Sequence, residues 1–79
     1  MADQNVIDMA NQLAEECLAV QRETGNDRLF MEVAGVLGAS SQTMEEAFVT
    51  AIRTRMATFQ GRALLNKALA AHKAKEPKA

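Results

Sequence analysis

Seventy-nine residues with a formal net charge of −1, no tryptophan or tyrosine and a single cysteine leave room for one domain with a thin stability margin and no internal disulfide. Hydrophobic residues make up 48% of the chain, but much of that is alanine, which favours helix and adds little to a core, so helices around a small interior are expected. No apolar run approaches the roughly 20 residues that a membrane span needs, and Val6 to Ala10 is interrupted by Asp8, unlike a secretory signal, so a cytoplasmic protein with no membrane contact is expected.

The first predicted helix covers about 3–24. Asp3 can accept from the free amides of its opening turn, and Gly25 or Asn26 can end it in the left-handed conformation. Val6, Ala10, Leu13, Cys17 and Val20 recur at alternating spacings of about four and three, which places them on one face of a helix. Met9, Ala14, Ile7 and Leu18 widen that stripe beyond what one partner helix covers.

Asn26 or Asp27 can cap a second helix, about 27–37, whose stripe is Leu29, Phe30, Val33, Ala34 and Leu37 and which Gly38 is placed to stop. The third, about 41–60, opens at Ser40, or at Thr43 if Thr43 and Glu46 form a capping box. Its face is Met44, Phe48, Ala51, Ile52, Met56 and Phe59.

Carried straight through Gly61, this helix would aim Leu64 away from that face, yet Leu64, Leu65, Ala68, Leu69 and Ala71 form a stripe of their own. Glycine costs about 1 kcal/mol against alanine inside a helix, so a bend near Gln60 and Gly61 and a separate fourth helix, about 62–75, are expected. The expected organisation is one helical domain over 1–74 with a frayed polar tail over 75–79, where Pro77 stops helix.

The near-zero net charge conceals a split. Residues 1–46 carry nine acids against Arg22 and Arg28, for −7, whereas residues 47–79 carry seven basic residues against Glu76 alone, for +6. Once folded, the two halves can offset one another. The same split suits a nucleic-acid-binding end or a molecule that pairs with a second copy of itself.

Ala34, Gly38, Val33, Leu37, Met44 and Ser40 stand where a helix-turn-helix needs a small contact residue, a turn glycine, flanking apolar residues and a second-helix start, so residues 30–49 resemble that motif of bacterial repressors. The resemblance implies that Ser41, Gln42, Glu45 and Glu46 face the major groove, with Arg53 and Arg55 two turns on against the DNA backbone. Glu45 and Glu46 would then stand as negative charges beside phosphates, which ranks this reading second.

Arg53, Arg55 and Arg62, with Lys67 beyond, are the strongest candidate interaction residues, joined by Met56, since methionine adapts to irregular surfaces. Arg55 lies within the apolar face of its own helix. It can anchor to an acidic helix through Glu16 or Glu23, of this chain or of a second copy, or lay its stem along apolar surface with the charge in water, the reading preferred here. The only histidine, His72, has one nearby carboxylate, Glu76, and reads as a helix-end residue and not a metal ligand. Cys17, with no basic neighbour, reads as a small core residue.

No nucleophile, base and orienting group can be assembled, and no cofactor or metal motif is present, so the chain reads as a non-enzyme. The expected fold is all-α, a bundle of three to four helices with the first antiparallel to part of the third. Self-association, most simply as a homodimer, would complete the burial. The expected function is protein–protein interaction or oligomerisation, with DNA binding by a transcriptional regulator as the alternative.

Overall fold

The computed structural model describes residues 3–75, and all of the secondary structure in that span is helical: α1 (Gln4–Thr24), α2 (Leu29–Ser40) and α3 (Gln42–Lys75). Residues 1, 2 and 76–79 lie outside the described span, and with them Glu76, Pro77 and all of the expected tail but Lys75. Lys75 is the last residue of α3.

Both ends of α1 follow from side-chain and backbone chemistry already visible in the sequence. The Asp3 carboxylate accepts from the Val6 amide at 2.9 Å, and Gly25 closes the helix at φ 75, where its amide donates to the Gln21 carbonyl. The connection to α2 starts with an Asn26 side chain that accepts from the Arg28 amide at 3.2 Å, a local turn that delays the helix to Leu29. Asn26 and Asp27 are therefore turn residues, and neither caps α2. The Phe30 amide in the first turn of α2 instead donates to Gln21 Oε1 at 2.9 Å, from across the helix pair. Gln21 is 9% exposed, and this bond gives its buried amide a partner.

Gly38 does not stop α2, which continues through it to Ser40. Only Ser41 interrupts the chain: its backbone is extended, its hydroxyl accepts from the Met44 amide at 3.1 Å, and its carbonyl accepts from the Glu45 amide at 3.0 Å. Ser41 is thus the cap of α3, in place of Ser40 or Thr43. Gly38 serves no turn, and a Cβ there would lie 2.9 Å from the Glu45 carboxyl group, the movable end of a flexible side chain.

The chain reverses at 25–28 and turns again at Ser41. Asn11 and Glu15 of α1 meet Arg55, while Leu18 and Arg22 face Thr58, Phe59 and Arg62, so α1 and α3 run side by side in the same direction. The antiparallel arrangement expected from the sequence is therefore replaced by a parallel one, because two turns bring the chain back to its starting direction. Ala10, Ala14 and Cys17 of α1, Ala34 of α2, and Phe48, Ala51 and Ile52 of α3 form the buried core. Its alanines let the helices approach closely, and only Phe48 and Ile52 supply large fully buried side chains.

No bend separates a fourth helix: α3 is unbroken over 34 residues, about 51 Å at 1.5 Å per residue. Nothing lies within 4 Å of the place where a Gly61 side chain would sit. With no packing load to break the helix there, the local cost of glycine is met by backbone hydrogen bonds on either side. From Met56 to Lys75 every residue is exposed, and past Arg62, which still faces Arg22 of α1, the distal part of α3 leaves the three-helix body and projects from it. The molecule accordingly measures 61 × 29 × 13 Å, with a radius of gyration of 17.2 Å where a compact chain of this length has about 12 Å.

Candidate functional site

Two features of the surface bear on function: a cleft between α1 and α3, and the distal half of α3 beyond it. The cleft, about 380 Å³, is lined by Glu15, Leu18, Gln21, Arg22, Asp27, Arg55, Thr58, Phe59 and Arg62. The period of α3 stacks Arg55 and Arg62 two turns apart on one wall, and Arg22 stands on the α1 wall. Arg55 is held in place. Its guanidinium donates to Asn11 Oδ1 and to the Ala51 carbonyl, both at 3.2 Å, and lies 3.7 Å from Glu15.

Arg55 therefore anchors to α1 through Asn11 and Glu15, not through Glu16 or Glu23, and this replaces the preferred expectation of a guanidinium left in water. Glu15 is 71% exposed, so the ion pair itself contributes no more than about 1 kcal/mol, and the geometry comes from the hydrogen bonds. The one hydroxyl in the lining, Thr58, already donates to the Thr54 carbonyl at 2.8 Å. Guanidiniums, carboxylates and the apolar side chains of Leu18 and Phe59 equip this cleft for charged and apolar contact.

The second feature is larger. Leu64, Leu65 and Leu69 are 65%, 70% and 52% exposed and, with Ala68 and Ala71, form the stripe anticipated from their spacing. Because α3 is continuous, the phase of 100° per residue turns Leu64, Ala68 and Ala71 at least about 100° from Phe48, Ala51 and Ile52, which enter the core, whereas Leu69, five turns after Ala51, keeps the phase of Ala51 and Leu65 lies between. Leu64 thus points away from the body that the proximal half of the same helix helps to build, while Leu65 and Leu69 are exposed because they lie beyond the cleft with α1. Arg62 and Lys73 flank the stripe on its Leu65 and Leu69 side.

The sequence-derived candidates disperse. Arg55 and Arg62 share the cleft, whereas Arg53, two residues from Arg55, leaves the opposite side of α3. Met56 is 40% exposed at the edge of the core face. Of the residues given a DNA-contacting role, Gln42 is exposed and donates to Glu46 at 3.4 Å, sharing a face with Arg53. Ser41 is committed to the cap and Arg55 to α1. Gly38, expected in the turn, is helical.

Cys17 is buried, and desolvation pushes its thiol pKa up, as expected of a core cysteine. His72 lies on the exposed distal segment. Among the described residues no group of three or more His, Cys, Asp or Glu could hold a metal, and no helix is long and apolar enough to cross a membrane. Sequence reasoning missed Gln21, whose position in the apolar stripe of α1 was the available signal. It also assigned the leucine stripe to a packed helix. Comparison with protein-family models, with curated proteins and with solved structures gave no match.

Proposed function

We propose that this chain is a non-enzymatic protein–protein interaction or oligomerisation module of the cytoplasm, whose working element is the distal half of α3. One observation carries the reading: three leucines, each more than half exposed, form a continuous stripe on a helix that extends beyond its own core. A folded monomer of 8.6 kDa is expected to expose roughly 4,700 Å², whereas this chain exposes 6279 Å². Apolar surface concentrated in one patch marks an interaction site more strongly than the same area scattered singly. The neighbouring cleft, with Arg55 fixed and Arg22 and Arg62 at its walls, adds charged contacts at the root of the projection.

DNA binding, the alternative, draws support from Gln42 and Arg53 on one exposed face and is weakened by the engagement of Ser41 and Arg55 within the fold. A salt-sensitive affinity for mixed-sequence duplex in the range of about 10⁻⁴ to 10⁻⁶ M would favour it.

The interaction reading is tested by placing a photoactivatable crosslinking residue at Leu65 and, as a control, at the exposed Arg53, in cells that produce the full chain. Position 65 is expected to yield a discrete adduct that position 53 does not. Equal or absent crosslinking at the two positions would overturn the reading.

A further inference from the structure

Resting on that interaction reading, we infer that the occupant of the leucine stripe is a second copy of this chain, and that the stripe seats on the acidic outer face of the partner's α1.

Charge selects this occupant. Residues 61–75 carry Arg62, Lys67, Lys73 and Lys75 with no acid, a charge of +4. Residues 3–60 carry nine carboxylates against four arginines, a charge of −5. Pairing two distal helices with each other would oppose +4 to +4, whereas seating each on the partner's body opposes unlike charges at both contacts.

The shape of α1 selects the place. Met9, Leu13, Glu16, Val20 and Glu23 follow one another at spacings of four and three and so share a face. Met9 and Val20 are both 46% exposed, Glu16 and Glu23 are exposed, and Leu13 is partly buried against the core. From Met9 to Glu23 this strip is about 21 Å long, the same length as the distal segment from Gly61 to Lys75 at 1.5 Å per residue.

Area agrees with both. Against the scaling for compact monomers, the 6279 Å² of accessible surface is in excess by roughly 1,600 Å². A standard-sized complex buries about 800 Å² per partner. Reciprocal docking of two arms on two bodies is an isologous two-fold contact, the commonest closed assembly.

The test is sedimentation equilibrium of the full chain and two charge-reversed variants, with circular dichroism to establish that each is folded. One variant reverses the arm, Arg62→Glu with Lys73→Glu; the other reverses the body, Glu16→Lys with Glu23→Lys. The unaltered chain is expected to dimerise in the micromolar range, and each variant alone to have its dissociation constant raised at least about tenfold. An equimolar mixture of the two is expected to dimerise again, since both arm-to-body contacts become complementary.

A chain that stays monomeric to about 100 µM, a body variant that dimerises as well as the unaltered chain, or a mixture that does not reassociate would each overturn the inference. The two proposals fail separately. A crosslink from Leu65 to a different protein defeats the second copy and leaves the interaction reading standing, whereas no crosslink defeats both.

Discussion

Replacing Gly61 with alanine probes the structure at the point where the apolar face of α3 changes direction. Since α3 is continuous there and the added methyl meets nothing within 4 Å beyond its chain neighbours and the backbone of its own helix, the substitution changes only helix propensity. Alanine gains about 1 kcal/mol over glycine in a helix interior. Every residue from Gly61 to Lys75 is exposed, so the distal segment opens without disturbing the core and the gain acts on that local equilibrium. At about 1.4 kcal/mol per factor of ten, amide protection within residues 61–75 should rise roughly fivefold.

The temperature of core unfolding should move little, because Phe48 and Ile52 lie two turns or more before the substitution. Hydrogen exchange read by mass spectrometry at sub-micromolar protein, set beside a thermal melt, separates the two effects. If Gly61 were instead a working bend, Gly61→Ala would lower protection in 61–75 or depress the melt. Either result would refute the continuous helix.

Gly38→Ala makes a complementary point: the added Cβ meets only the far end of the Glu45 side chain, which can swing into water, so we expect a gain of about 0.5 kcal/mol in urea unfolding. A loss above about 1 kcal/mol would indicate a left-handed turn at Gly38, as a helix-turn-helix requires. For Cys17, burial raises the thiol pKa in the folded state, so its contribution to stability is whole below the pKa of the unfolded thiol and is lost as pH rises from about 8.5 through the raised folded value. Unfolding free energies at pH 7 and pH 10 should therefore fall more for the unaltered chain than for Cys17→Ala, and equal pH dependence would show that the thiol is not desolvated.

Much of this architecture follows from local rules that a sequence exposes. Asp3 and Gly25 bound α1 because capping needs one side chain and one left-handed residue. The core faces of all three helices are legible from spacings of three and four, through Ala10, Ala14, Cys17, Ala34, Phe48 and Ile52. Harder to read was the junction of α2 and α3, because a one-residue break at Ser41 leaves no glycine signature and Gly38, the nearest candidate, answers to Glu45 instead.

The distal helix was misjudged for a physical reason. A coherent apolar stripe normally reports burial, and a change in its phase normally reports a bend. In α3 the chain keeps its backbone hydrogen bonds and leaves Leu64, Leu65 and Leu69 in water. The cleft was half legible: spacing stacks Arg55 with Arg62, but Asn11, Glu15 and Arg22 arrive from a helix whose direction depends on two turns.

The unsupported length of α3 also governs how the molecule is destroyed. An isolated helix of about 15 residues is marginal in water, so this arm opens far more often than the three-helix body unfolds. Arg62, Lys67, Lys73 and Lys75 punctuate it, each a cleavage point for a trypsin-like protease. Where reclosing outpaces cutting, the rate of loss follows the open fraction of the arm, and the body survives as a clipped remnant. Anything seated on the leucines lowers that fraction, so limited proteolysis becomes a readout of occupancy, with the intact chain persisting only as long as its stripe is covered.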